Sequence, residues 1–123
     1  MPTILVVDDY SVTIRVLSTQ LRKGGYDVVT ASNGSEALSQ REQQKIDLAI
    51  VDIAMPDMDG ITLLEQVRSN QRLASLPIVM LTASVLDDDR LRALKAGASG
   101  FLTKPVSSWE LLDIVNRQLQ TKT

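Results

Sequence analysis

The stretch Leu48-Ala49-Ile50-Val51-Asp52 places four apolar residues directly before a single carboxylate, and it decides the fold class. A short, continuously apolar run of this kind is typical of a strand that is covered on both faces. The same pattern occurs at residues 4–7 and 78–81, and weaker versions occur at residues 28–31 and 100–103. The sequence therefore predicts five strands, of which the two weaker ones lie at the outside.

Longer segments with helical periodicity separate these runs. Ile14, Leu17 and Leu21 recur on one helical face before a pair of glycines. The segments 33–36 and 107–110 each have the spacing of an N-cap with an acidic partner, and they predict helices that run to about residues 44 and 119. Two more helices are indicated by apolar pairs, namely Leu64 with Val67, and Leu91 with Leu94 before Gly97.

This alternation of strands and helices predicts an α/β protein with a parallel sheet and helices on both faces. Right-handed crossovers leave few topologies, and the flavodoxin-like (βα)5 arrangement with strand order 2-1-3-4-5 is the natural one for five βα units. In that order the ligand crevice lies between the carboxyl ends of strands 1 and 3.

Composition excludes several classes of function. The 123 residues carry a formal net charge of −2 without a basic stripe, which argues against direct nucleic-acid binding by this domain. The chain has no cysteine and no histidine, so thiol chemistry, disulfides and the common zinc ligands are absent. It has no signal peptide and no apolar run of roughly 20 residues, so we expect a cytoplasmic protein without a membrane span.

Acidic residues end the two strands that border the crevice. Asp8-Asp9 follows strand 1 and Asp52 ends strand 3, so the fold would bring three carboxylates together. Such like charges repel unless a cation joins them. Mg²⁺ fits because it prefers oxygen ligands and binds through one or two carboxylates, and Mn²⁺ is the alternative metal.

Two further polar residues end strands on the same edge of the sheet. Thr82 closes strand 4 and Lys104 follows strand 5, and a hydroxyl and an ammonium beside a metal-bound carboxylate suit a phosphoryl group. An aspartate carboxylate can accept a phosphoryl group covalently, which makes Asp52 a candidate acceptor. Each residue also has a simpler interpretation: Asp9 as a helix cap, Asp52 in a turn, Thr82 as a strand residue and Lys104 as a solvated lysine. The set as a whole favours a phosphoryl site.

Four motifs carry a resemblance to the receiver domain of two-component response regulators. They are Val-Val-Asp8-Asp9, Asp52-Ile-Ala-Met-Pro-Asp-Met-Asp-Gly60, Leu-Thr82-Ala, and Gly-Phe-Leu-Thr-Lys104-Pro105. They occur in order and with matching spacings, so the resemblance implies that residues 1–123 form one receiver domain of the single-domain, chemotaxis-regulator-like kind.

The resemblance also implies a role for each site residue. Asp52 would take a phosphoryl group from a phosphohistidine on a sensor histidine kinase. Asp9 and Asp52 would bind Mg²⁺ directly, Asp8 would bind it through water, and the backbone carbonyl of Ala54 would complete the protein ligands. Thr82 and Lys104 would contact the phosphoryl oxygens, and the Lys104–Pro105 bond would be cis.

In this family a switch couples Thr82 to an aromatic residue of strand 5, here Phe101. Phosphorylation would then change the surface of helix 4, strand 5 and helix 5, which controls an unidentified protein partner or output domain. Trp109 lies near that surface, and we interpret it as a packing residue at the start of the last helix. The resemblance implies a signalling phosphoacceptor, present as a monomer or weak dimer, whose only chemistry is its own phosphorylation and dephosphorylation.

Two alternatives remain. A pseudo-receiver would act through protein contacts alone, although such domains usually lack an acidic residue or the lysine, and this chain has both. A phosphatase of the haloacid-dehalogenase type would also use a strand-end aspartate. That chemistry needs a second acid two residues later, and Ala54 stands there.

Overall fold

A computed structural model of the chain describes residues 2–53, 60–69, 76–82, 87–104 and 106–120. Strands and helices alternate strictly through these parts. The elements are β1 (Thr3–Val7), α1 (Ser11–Lys23), β2 (Asp27–Ala31), α2 (Gly34–Gln43), β3 (Leu48–Asp52), α3 (Gly60–Ser69), β4 (Ile78–Thr82), α4 (Asp87–Ala96), β5 (Gly100–Thr103) and α5 (Ser108–Gln120).

The five strands form one parallel sheet in the order β2-β1-β3-β4-β5. This confirms the predicted flavodoxin-like fold. Every residue of β3 and β4 is buried, as expected of central strands, whereas β2 and β5 are only partly buried. The register pairs Val7 with Val51 and Thr82 with Thr103, so the carboxyl ends of β1, β3, β4 and β5 meet at one edge.

The core consists of two apolar clusters, one on each face of the sheet. Side chains alternate along a strand, so successive residues of the apolar runs enter different clusters. One cluster packs the sheet against α2, α3 and α4, and the other packs it against α1 and α5. Full burial of a large apolar side chain contributes about 1.5–3 kcal/mol. The two layers therefore hold the site-bearing strands rigidly in place.

The predicted helix signals are confirmed where the structure describes them. Asn33 is the N-cap of α2, and its Oδ1 accepts the N–H of Glu36 at 2.8 Å. Ser107 Oγ accepts the N–H of Glu110 at 3.1 Å and bonds the Glu110 carboxylate at 3.0 Å. The two contacts made by the N–H groups of Glu36 and Glu110 satisfy backbone donors that the first turn of a helix leaves open.

The apolar pair Leu91 and Leu94 marks α4 correctly, and both side chains are exposed, at 53% and 55%, whereas Ala93 is buried. Trp109 is 73% exposed, so the packing interpretation is wrong. The buried face of α5 runs through Leu111 and Val115, and a residue two positions before Leu111 lies on the far side of the helix.

Within the described parts of the chain, no helix is long and apolar enough to cross a membrane.

Candidate functional site

The site lies at the sheet edge where the carboxyl ends of four strands meet. Asp8 follows β1, Asp52 is the last residue of β3, Thr82 is the last residue of β4, and Lys104 follows β5. Asp8 and Asp52 lie at the same height along the strands, because the residues just before them are aligned partners in the parallel sheet. The fold thus brings the predicted residues to one edge.

Three carboxylates converge at this edge. Asp8, Asp9 and Asp52 each offer an oxygen, and these oxygens lie within 4.8 Å of one another. Asp8 and Asp52 are buried, at 0% and 6% exposure, whereas Asp9 is exposed. Water screens buried charges poorly, so the repulsion between Asp8 and Asp52 requires a nearby positive charge.

Backbone groups hold Asp8 in position. Its N–H donates to the carbonyl of Ala31 at 3.1 Å, and its Oδ1 accepts the N–H of Tyr10 at 2.9 Å. Tyr10 is itself the N-cap residue of α1, and its side chain makes no capping hydrogen bond. The interpretation of Asp9 as a helix cap is therefore wrong.

Lys104 supplies the positive charge. Its Nζ lies 3.0 Å from Asp8 Oδ2 and 3.4 Å from Asp52 Oδ2, and the side chain is only 27% exposed. Its backbone N–H donates to the carbonyl of Thr82 at 2.8 Å, which fixes the residue against the end of β4. Lys104 is an internal counterion, and the solvated-lysine interpretation is wrong.

The surroundings of Lys104 change its pKa. Partial burial lowers the pKa, but the close contact with Asp8 and the charges of Asp52 and Asp8 outweigh burial, so the pKa of Lys104 is raised above its ordinary value of 10.5. A pKa that folding raises contributes stability below the pKa of the unfolded chain, and this stability is lost as pH rises through the folded-state pKa.

Lys104→Met is expected to lower the free energy of unfolding of the metal-free protein at neutral pH by about 1–3 kcal/mol, because a charged contact is lost. The normal protein should then lose more stability than the variant as pH rises above about 10.4. Urea unfolding at pH 8 and above pH 11 measures both effects. Equal pH dependence in the two proteins would contradict the assigned role.

Of the other predicted site residues, two are described by the structure and two are not. Thr82 is buried at 4% exposure at the end of β4, and Phe101 is half-buried against the cluster under α2, α3 and α4. Ala54, predicted to offer a carbonyl to the metal, and Pro105, predicted to follow a cis bond, lie outside the described residues.

Sequence reasoning missed the backbone partners of the site. The N–H of Tyr10 and the carbonyls of Ala31 and Thr82 fix Asp8 and Lys104 in position. Almost every residue carries a backbone donor and acceptor, so no residue type signals such a role. These partners appear only once the register of the sheet is known.

The donor set fits a hard divalent cation. All three acidic side chains offer oxygen, the ligand type that Mg²⁺ prefers. Asp8 Oδ2 is buried and lies 3.0 Å from Lys104 Nζ. A carboxylate oxygen has more than one lone pair, so this oxygen can accept a further electropositive partner beside the ammonium.

Comparison with known proteins identifies the family. Residues 4–116 match the model of the response regulator receiver domain. The chain is 43% identical over 108 residues to the alkaline phosphatase synthesis transcriptional regulatory protein PhoP of Bacillus subtilis (strain 168), covering 88% of this chain and 44% of the relative. It is 41% identical over 114 residues to an uncharacterized 14.6 kDa protein of Leptolyngbya boryana, covering 93% and 87%.

Solved structures agree with this match. The chemotaxis protein CheY4 of Vibrio cholerae superposes with a TM-score of 0.92 at 34% identity, over 97% of this chain and 99% of that protein. The chain spans less than half the length of the first curated relatives that it matches. On its sequence and its structure, the chain belongs to the response regulator receiver domain family of two-component systems.

Proposed function

We propose that this chain is a phosphorylation-activated switch in which Asp52 accepts a phosphoryl group from a phosphohistidine of a sensor histidine kinase. The observation that carries the proposal is the contact of Lys104 Nζ with the carboxylates of both Asp8 and Asp52 at the sheet edge. A buried strand-end carboxylate beside two acids and an ammonium has the positioning and charge balance that phosphoryl transfer requires.

The transfer is a displacement at phosphorus. A carboxylate oxygen of Asp52 forms the new O–P bond, the P–N bond of the phosphohistidine breaks, and the leaving imidazole takes a proton from solvent. Bound Mg²⁺, or Mn²⁺ in its place, would neutralise charge on the phosphoryl oxygens. Asp9 and Asp52 would ligate the metal directly, Asp8 through water, and the carbonyl of Ala54 would complete the set.

Thr82 and Lys104 would bind the phosphoryl oxygens. Lys104 already lies against Asp52, so a phosphoryl group on that side chain arrives within reach of the ammonium. The Thr82 hydroxyl would move toward the new oxygens, and the Phe101 ring would follow. The surface of α4, β5 and α5 would then change, and the bond before Pro105 would be cis.

The partners follow from this chemistry. We propose a sensor histidine kinase as the donor, and a protein target or an output domain as the receiver of the signal. The domain would act in the cytoplasm as a monomer or weak dimer, without contacting nucleic acid itself. Its chemistry would be limited to its own phosphorylation and the hydrolysis of the acyl phosphate.

A small acyl phosphate tests the proposal directly. We expect incubation with acetyl phosphate and Mg²⁺ to add the mass of one phosphoryl group, with no gain when a chelator replaces the metal. Hydroxylamine should remove the group, because it cleaves acyl phosphates. The absence of any mass gain would favour a pseudo-receiver, and steady release of phosphate from a phosphomonoester would favour a phosphatase.

A further inference from the structure

Arg68, in the last turn of α3, lies outside the phosphoryl site and joins three parts of the chain. Its Nε donates to the carbonyl of Gly97 at 2.9 Å, and its Nη1 donates to the carbonyl of Leu76 at 2.6 Å. Its Nη2 lies 3.4 Å from Ser99 Oγ. One guanidinium therefore connects α3 with the start of β4 and with the turn between α4 and β5.

Ser99 extends this set of contacts to the sheet and to α5. Its Oγ also accepts the N–H of Ile78 at 3.1 Å, and its own N–H donates to the carbonyl of Ile78 at 2.8 Å. Its carbonyl accepts a hydrogen bond from the Gln118 side chain of α5 at 3.0 Å. The residue that precedes β5 is thus bonded to β4, α3 and α5.

Gly97 ends α4 in a conformation that the Arg68 side chain supports. Its φ is +102°, and the N–H of Gly97 and of Ala98 donate to the carbonyls of Leu94 and Ala93, a Schellman motif. A Cβ built on Gly97 would lie 3.0 Å from Arg68 Nε and 3.1 Å from Arg68 Cγ. The helix end therefore packs directly against the arginine that binds its carbonyl.

The carboxyl end of α4 is anchored by side chains, and its amino end follows the phosphoryl site along the chain. At the carboxyl end, Gly97 and Ser99 are bonded to Arg68, and Ser99 is bonded to β4 and α5. At the amino end, residues 83–86 connect Asp87 to Thr82, which lies at the phosphoryl site. Partial burial lowers the pKa of Arg68, which is consistent with an enclosed guanidinium.

We propose that Arg68 is a positioning residue that fixes the carboxyl end of α4, so that a change at Thr82 displaces the amino end of this helix about a pivot at Gly97. The movement rests on the proposed phosphorylation of Asp52, whereas the fixed end does not. Arg68 would convert a small shift at the site into a tilt of α4, instead of a displacement of the whole helix.

Hydrogen exchange on Arg68→Met tests the fixed end without any phosphodonor. Methionine keeps much of the apolar stem and loses the donors. We expect amide exchange in residues 97–99 to rise at least fivefold, while exchange in β1 and β3 stays within twofold. Unchanged exchange in residues 97–99 would overturn the proposal. Arg68→Lys, which keeps the charge but not the fork of donors, takes the place of Arg68→Met should that variant fail to fold.

Gly25 offers a matched control for Gly97. It ends α1 in the same way, with a φ of +94°, but a Cβ there would meet nothing within 4 Å. Both Gly→Ala changes therefore carry the same backbone strain. We expect only Gly97→Ala to accelerate exchange in residues 97–99, because only this change pushes on Arg68. Equal acceleration in the two variants would count against the contact.

The same measurement after loading with acetyl phosphate and Mg²⁺ tests the tilt. In the normal protein, exchange should change at residues 87–90 and stay within twofold at residues 97–99. In Arg68→Met the change should reach both ends. Equal changes at both ends of the normal protein would overturn the tilt. A protein that gains no phosphoryl mass would overturn the proposed function and the tilt with it, while the unloaded comparison still decides the fixed end.

Discussion

Asp52→Asn is expected to lower phosphoryl incorporation from acetyl phosphate at least 100-fold. The amide has nearly the volume of the carboxylate and keeps an oxygen toward Lys104, so the fold should be retained. It lacks the anionic oxygen that forms the bond to phosphorus. Intact-mass spectrometry at matched protein, donor and Mg²⁺ concentrations measures the effect.

Asp27→Asn provides the control for this change. Asp27 is an exposed aspartate at the first residue of β2, at the opposite end of the sheet from the site. The Asp27→Asn variant should incorporate phosphoryl groups at the level of the normal protein, because it loses the same negative charge as Asp52→Asn but far from the site. Full labelling of Asp52→Asn would mean that another side chain is the acceptor, and peptide mapping would identify it.

Asp9→Asn is expected to have two effects of opposite sign. Mg²⁺ affinity should fall by about 10- to 100-fold, because the site loses a charged ligand. The metal-free protein should become slightly more stable, by a few tenths of a kcal/mol or more, since one of three converging negative charges is removed. Calorimetric titration with Mg²⁺ measures the first effect and urea unfolding in chelator measures the second.

Lower Mg²⁺ affinity together with higher stability of the metal-free protein would distinguish a metal ligand from a residue with a local structural role. Asp9 is exposed and is not the N-cap of α1, so its replacement by the isosteric amide should cost little in folding. Asp27→Asn should leave Mg²⁺ affinity unchanged apart from a small long-range term. Unaltered Mg²⁺ binding in Asp9→Asn would remove this residue from the proposed ligand set.

The sequence was most informative where one physical requirement controls the residue choice. A strand covered on both faces must be apolar throughout, which is why β3 and β4 could be recognised from their composition. Parallel strands end at a common edge, so a residue that follows β1 could be matched with one that ends β3. The acidic cluster therefore followed from topology, with no detail of side-chain packing.

The sequence was least informative where a partner is distant in the chain or is a backbone group. Arg68 carries no local sign of its role, because the carbonyls it binds come together only after β4 and β5 are paired. Trp109 was misassigned because an aromatic residue is more often buried than exposed, and its position relative to Leu111 depends on the phase of α5. The metal-binding carbonyl of Ala54 and the cis bond before Pro105 stay predictions.

The enclosed position of Lys104 has a consequence for how the domain responds to its ionic environment. Surface ion pairs weaken as salt is added, because mobile ions screen charges over about 10 Å at 0.1 M. Lys104 is covalently tethered and largely sheltered from those ions, and it faces two buried carboxylates. The acidic site thus contains an internal counterion that offsets part of its negative charge, and added salt should weaken this pairing less than it weakens a surface ion pair.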